Sequence, residues 1–187
     1  MREIEAKLRV TSHDAVRERL RFLGATHIRT GIETNVIYDR PDGSLRKRGM
    51  GLRVRTVTTD QGDAPPATMT VKGPRTTSAL KSREELEVQV DNAATAAAML
   101  EMLGYRVILR YEKRRESWTL DECSVELDTP PHIGLFVEIE GPTAEAVEQA
   151  RARLDLGENP HVDPSYVRML LDLCREQGLD PLDLRLS

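Results

Sequence analysis

Aromatic residues are scarce in this chain: two Phe, four Tyr and the single Trp118. That leaves little material for the stacking platforms on which single-stranded nucleic acid is held. The two cysteines, Cys123 and Cys174, lie far apart and form no CxxC pair, so neither a zinc knuckle nor a disulfide framework is indicated. Both are expected to be reduced and structural. The four histidines (His13, His27, His132 and His161) show no HxxxH or comparable spacing, which argues against a zinc site. Basic charge is not in excess: 27 Lys and Arg against 31 Asp and Glu leave a net charge of −4, so no overall field draws in a nucleic acid. No stretch approaches the roughly 18 apolar residues of a membrane span, and the opening Met1-Arg2-Glu3-Ile4-Glu5-Ala6-Lys7 lacks the apolar core of a signal peptide. GxxxxGK[ST] and GxSxG are absent too, and Gly49-Met50-Gly51 reads as a turn before a strand. The expectation is a cytoplasmic chain with neither membrane nor nucleic-acid partner, and any anion binding must come from local arrangement.

What is present is an ordinary globular composition, 39% hydrophobic and 31% charged, in a chain of 187 residues whose length predicts one domain over 1–187. Four segments carry helical patterns. Ser12 to Gly24 places Val16, Leu20 and Leu23 on one side, and Asn92 to Gly104 ends in the same way on a glycine. Thr143 to Gly157 opens on a capping threonine, and Asp163 to Gly178 on an N-cap aspartate followed by proline. Alternating segments near 2–10, 27–39, 51–59, 67–73, 82–90, 105–119, 123–129 and 134–140 read as strands joined by turn-like connectors such as Pro41-Asp42-Gly43. Hairpins outnumber βαβ units, which predicts an α+β chain: an antiparallel sheet or barrel with helices packed outside.

The alternation itself carries the information. Side chains in a strand have period two, so Glu3, Glu5, Lys7 and Arg9 share one face, and Ile4, Ala6, Leu8 and Val10 the other. One such strand is unremarkable, because half-buried antiparallel strands commonly have a wet face. Here the pattern recurs. Arg53 and Arg55 oppose Leu52 and Val54; Lys72 follows Val71; Arg83, Glu85 and Glu87 oppose Leu86 and Val88. Glu126 and Asp128 oppose Val125 and Leu127, and Glu138 and Glu140 oppose Val137 and Ile139. If helices cover the apolar outside of a closed barrel, the ionic faces converge on a solvated, mutually paired interior. The strand with Lys113 and Arg115 fits less well, since both share parity with Val107, Leu109 and Tyr111; a bulge near Tyr111 or Glu112 would restore the phase. Carboxylate pairs at i, i+2 suit Mg²⁺ or Mn²⁺, and facing lysines and arginines suit phosphate oxygens. Both signs together point to a metal-bound polyphosphate.

Six segments in order then identify a family likeness: Glu3-x-Glu5-x-Lys7; Leu52-Arg53-Val54-Arg55; Thr70-Val71-Lys72-Gly73; Arg83-Glu84-Glu85-x-Glu87; Glu112-Lys113-Arg114-Arg115; and Gly134-Leu135-Phe136-Val137-Glu138-Ile139-Glu140. Together they resemble the CYTH superfamily, the triphosphate tunnel metalloenzymes, which include class IV adenylate cyclases, thiamine triphosphatases and inorganic triphosphatases. The resemblance spans Met1 to about Cys174. It implies an eight-stranded antiparallel tunnel that binds a triphosphate with Mg²⁺ or Mn²⁺. Glu3, Glu5, Glu138 and Glu140 match the metal-binding carboxylates, which with Lys7 make up the expected catalytic set; Glu85, Glu87, Glu126 and Asp128 match further acidic lining. Lys7, Arg53, Arg55, Lys72, Arg83, Lys113 and Arg115 match the triphosphate-binding cations. The helix near 163–178 resembles the one that closes the tunnel in relatives. The segment Glu33 to Arg55 departs from the Gln-x-Asp-Thr-Tyr-Phe-like pattern of the cyclases.

Three activities follow from this likeness: metal-dependent hydrolysis of tripolyphosphate, thiamine triphosphate or a nucleoside triphosphate; cyclisation of ATP to cyclic AMP and pyrophosphate; and triphosphate binding without turnover. Hydrolysis stands first, and pairing of two copies is left open. The cluster Arg46-Lys47-Arg48 reads as a solvated hairpin tip, and Tyr38, Tyr111 and Trp118 as core residues.

Overall fold

The computed structural model describes residues 2–74 and 81–186, with the side chains of residues 2, 3, 81 and 82 outside that description. Eight strands form the frame: β1 (Arg2–Val10), β2 (Thr26–Asp39), β3 (Gly51–Thr59), β4 (Ala67–Lys72), β5 (Lys81–Val90), β6 (Arg106–Leu120), β7 (Cys123–Thr129) and β8 (Leu135–Gly141). Every pairing is antiparallel, and the order β1-β5-β4-β3-β2-β6-β7-β8 closes on itself because β1 pairs with both β5 and β8. The expected α+β barrel is therefore the observed fold. Closure removes the sheet edges and gives each strand an inner and an outer face.

The outer faces carry the apolar residues that helices cover. Helix α1 (Asp14–Phe22) and helix α4 (Ala144–Arg153) bring Val16, Leu20, Val147 and Ala150 against Ala6, Leu8, Val125, Val137 and Ile139. Helix α3 (Ala93–Met102) lays Leu100 on Leu52, Val54 and Tyr38. The caps follow the local sequence: Asn92 and Thr143 each accept a backbone N–H three residues on. A short helix α2 (Ser44–Lys47) occupies what reads in sequence as a hairpin tip. Its Arg46 turns back onto the buried Asp39 at 2.9 Å, while Lys47 and Arg48 stay exposed.

Helix α5 (Tyr166–Gln177) differs from the others because it meets inner-face residues. Tyr166, Leu170 and Cys174 pack against Ile37, Leu109, Tyr111 and Phe136. Its N-cap is Ser165, which accepts from Arg168 N, and not the expected Asp163. Both flanks of α5 are tied to strands: Val162 N donates to Lys7 O at 2.7 Å, and Glu112 N to Leu184 O at 2.9 Å. These bonds use backbone groups of β1 and β6 that lie beyond the pairing of β1 with β5 and of β6 with β7.

The phase of β6 is resolved by this packing. Its register shifts fall opposite Ile37/Tyr38 and His27/Arg29, and none lies at Tyr111 or Glu112. Leu109, Tyr111, Lys113 and Arg115 therefore share the inner face without a bulge between them. The apolar half of that face lies beneath α5, and the ionic half lines the remaining lumen.

Candidate active site in the barrel lumen

The inner faces bring most of the expected residues together. On β1 and β8, Glu5 stands directly across from Glu140 and Lys7 from Glu138. On β7, Glu126 pairs with Glu138 and Asp128 with Phe136. Arg53 and Arg55 on β3 face Thr70 and Thr68 on β4, and Thr70 and Lys72 face Glu87 and Glu85 on β5. Arg83 belongs to the same face of β5. Glu3 is in β1 opposite Arg83, but its side chain lies outside the described residues.

The lumen is a network of paired charges. Lys113 Nζ reaches Asp128 at 2.9 Å and Glu33 at 3.4 Å. Arg115 grips Asp128 with two guanidinium nitrogens, at 2.7 and 2.6 Å, and reaches Glu138 at 2.8 Å. Glu126 accepts from Ser117 at 2.6 Å and lies 3.6 Å from Arg115. Arg55 meets Glu33 at 3.4 Å, and Lys72 meets Glu85 at 2.5 Å. Lys7 donates to Pro164 O at 2.5 Å and lies 4.5 Å from the centre of the Tyr166 ring. The opposite face of the same chemistry is Tyr166 Oη, which donates to Asp128 at 3.1 Å.

Four members of this network stand outside the sequence assignment. Glu33, Asn35, Thr70 and Tyr166 are all buried, and all meet the lumen ions or lie beside them. Glu33 is 1% exposed; burial pushes its carboxyl up, but Lys113, Arg115 and Arg55 together bring it down to about 2. Asn35, opposite both Arg55 and Tyr111, leaves its Oδ1 without a hydrogen-bond partner. The signal was available for Glu33 and Asn35: they share parity with Gly31 and Ile37, opposite Ile32, Thr34 and Val36.

The carboxylates at the β1–β8 seam have a different balance. Burial raises the Glu140 carboxyl, and the neighbouring charges of Glu5, Glu85 and Glu138 raise it further against the effect of Lys72. Glu138 is pushed up by burial and by Glu5, yet Lys113, Arg115 and Lys7 hold it below the ordinary carboxylate range. Among the described residues no three His, Cys, Asp or Glu side chains already converge at metal-ligand spacing. Crowded oxygen donors that raise one another's pKa nonetheless fit a hard divalent cation, which would relieve that repulsion.

Cations are crowded on the opposite wall. Burial lowers the Lys72 ammonium, and Arg53 and Arg83 lower it further. Burial and Arg53 likewise lower the Arg55 guanidinium. Such a wall favours anionic oxygen, which would relieve the mutual repulsion of its cations.

A closed barrel with both signs of charge turned inward is an ion-lined tunnel. The CYTH domain model matches residues 1–162, and the chain belongs to that family. It is 28% identical over 183 residues to the adenylate cyclase CyaB of Aeromonas hydrophila, covering 97% of this chain and 83% of that protein. Among solved structures, the PH1819 protein of Pyrococcus horikoshii OT3 superposes with a TM-score of 0.79 at 27% identity, covering 91% of this chain and 99% of that one. The Hippeastrum protein HpAC1, described as having a dominant triphosphatase activity, shares the fold at a TM-score of 0.65 and 20% identity, with 97% and 99% covered. No helix among the described residues is long and apolar enough to cross a membrane.

Proposed function

We propose that this protein hydrolyses a triphosphate inside the tunnel with the help of Mg²⁺ or Mn²⁺. The observation that supports the reading is that both signs of charge line one lumen, with cations and carboxylates interleaved on β2 to β7 and carboxylates gathered at the β1–β8 seam. Lys72, Arg53 and Arg55 form a cation-rich wall, and Lys113 and Arg115 extend it, while Glu5, Glu138 and Glu140 gather at the β1–β8 seam. A phosphate chain needs many donors along its length and a carboxylate-held cation at one end.

In this reading Arg53, Arg55, Lys72, Arg83, Lys113 and Arg115 bind and orient the non-bridging oxygens, and Lys7 holds the phosphate next to the seam. Arginine gives fixed bidentate contacts and lysine a movable point charge. Glu5, Glu138 and Glu140, joined by Glu3, would hold the metal. A divalent ion there supplies neutralisation of the phosphate charge and acidification of a bound water. The carboxylates orient the attacking water and accept its proton. Water oxygen bonds to the terminal phosphorus, the bridging P–O bond breaks, and the electron pair stays on the shortened phosphate, where the arginines stabilise it. No covalent intermediate with the enzyme is needed.

The aromatic rings favour hydrolysis over a reaction that must recognise a base. Tyr38 packs beneath α3 and Tyr111 beneath α5, Trp118 lies in the outer core, and the Tyr166 ring is covered by Lys7 and Lys113. None offers a free face in the lumen for a purine. The second reading is cyclisation of ATP, supported by the 28% identity with a protein named adenylate cyclase. Purified protein incubated with tripolyphosphate, thiamine triphosphate and ATP, each with Mg²⁺ or Mn²⁺, separates the two. Orthophosphate release supports hydrolysis; pyrophosphate with cyclic AMP overturns it in favour of cyclisation.

A further inference from the structure

One carboxylate of the lumen is placed differently from the rest. Glu87 Oε2 accepts from the Thr70 hydroxyl at 2.7 Å and lies 3.7 Å from Arg53 Nη2 and 3.5 Å from Arg55 Nη2. A single oxygen thus sits among two guanidinium groups and a hydroxyl, an arrangement that suits a non-bridging phosphate oxygen. Its pairing is loose. Both arginine contacts are longer than a charge-assisted hydrogen bond, and the buried Arg53 Nε has no acceptor. Arg55 also reaches Glu33 at 3.4 Å and Arg53 reaches Glu85 at 3.9 Å, so each guanidinium is spread over long contacts to two carboxylates and closes tightly on neither. Burial and the neighbouring Arg53 disfavour the charged form of Arg55, which fits the same loose pairing.

Glu87 also differs in freedom. Its side chain is 38% exposed, against 1% for Glu33 and none for Asp128. Glu33 and Asp128 are fixed inside the network and hold Arg55, Lys113 and Arg115 in place. Glu87 can rotate into solvent with its own charge hydrated, leaving Arg53 and Arg55 to an incoming anion.

We propose that Glu87 is a built-in stand-in for substrate, its carboxylate occupying the position of a phosphate oxygen between Arg53, Arg55 and Thr70 and swinging out when a triphosphate binds. The proposal rests on the reading of the lumen as a triphosphate site and adds to it a specific competitor. An internal anion offsets the repulsion between the two guanidinium groups and orients them. It also raises the concentration at which a small anion such as orthophosphate fills the site, because every ligand there must first displace it.

The test is calorimetric titration of the whole protein with tripolyphosphate and, separately, with orthophosphate, both in EDTA so that no turnover occurs. Glu87→Gln keeps the shape and removes the charge; Glu87→Asp keeps the charge and withdraws it by one methylene. Both variants should bind tripolyphosphate tighter than wild type, by about three- to tenfold for the glutamine. Unchanged or weaker binding in both variants overturns the proposal. Should one variant fail to fold, as judged by its melting curve, the other decides. A wild-type protein that binds tripolyphosphate no better than orthophosphate instead overturns the triphosphate reading, and the comparison of variants still stands by itself.

Discussion

Glu33 shows how much of this lumen is settled by single side chains. It is almost fully buried, and burial alone would raise its carboxyl; three cations within 4.0 Å reverse that direction. A carboxyl at about 2 when folded and 4.5 when free binds its proton more weakly in the native state. Its stabilising contribution is therefore complete above pH 4.5 and fades as the pH falls toward 2. The shift corresponds to roughly 3 kcal/mol. We predict that Glu33→Gln lowers stability by about that amount at pH 7 and by clearly less at pH 3, read from urea midpoints. An equal loss at both values would contradict the charge account. At the β1–β8 seam, Glu138→Gln is expected to cut the proposed metal-dependent turnover about 100-fold or more; retained turnover would remove Glu138 from the catalytic set.

Which of these residues were legible in the sequence follows from period two. Where a strand has a clean apolar face, as in β1, β3 and β8, parity alone assigned Glu5, Lys7, Arg53, Arg55, Glu138 and Glu140 to one interior. Glu33 and Asn35 escaped because their neighbours on the outer face include Thr34 as well as Ile32 and Val36, which blurs the contrast. Thr70 is uncharged, and a threonine on a strand announces nothing. Tyr166 could not be placed by any local rule, since its position depends on where a distant helix docks.

Elements, and not residues alone, decide the rest of the site. The inner face of β6 changes from apolar to ionic halfway along because the apolar side chains of α5 cover Leu109 and Tyr111, while at Lys113 the helix presents the ring and hydroxyl of Tyr166. A bulge was the local way to reconcile those residues, and long-range packing took its place. This gives α5 an energetic role that can be measured. Leu170 is fully buried against the barrel, and Leu170→Ala should cost about 2–5 kcal/mol; a loss below 1 kcal/mol would mean α5 is not packed as described. Tyr166→Phe removes only the hydrogen bond to Asp128 and should cost about 1 kcal/mol. The β2–β3 pairing has its own constraint. A Cβ on Gly31 would fall 2.5 Å from Thr58 O, a backbone atom that cannot step aside. Gly31→Ala should therefore be destabilised in thermal melts, and an unchanged melting temperature would show that the strands can part there.

At the scale of the whole molecule, the barrel solves an electrostatic problem. Its net charge is −4, yet the interior gathers at least six cations against a comparable set of carboxylates. Closure makes this tolerable, because many of these ions pair across the lumen, as Lys113 and Arg115 do with Asp128, and the apolar outer faces bury against helices. Attraction of substrate must then be short-ranged, from cations inside a chain whose overall charge repels anions. KM for the triphosphate should rise with ionic strength through the screening range near 0.1 M, where the Debye length is about 10 Å, while the melting temperature, set by buried pairs and apolar packing, changes little. A KM indifferent to salt would count against an ionic tunnel.

In the proposed reaction these inward charges hold a triphosphate for attack by water. Its most direct test is ³¹P NMR of tripolyphosphate, thiamine triphosphate or ATP mixed with purified protein and Mg²⁺ or Mn²⁺, with Glu138→Gln in parallel. The account predicts that the tripolyphosphate signals give way to pyrophosphate and orthophosphate with the wild type, and persist with the variant or without metal. Tripolyphosphate, thiamine triphosphate and ATP all left intact by wild-type protein with Mg²⁺ or Mn²⁺, or consumed equally by the variant, would contradict hydrolysis in the tunnel.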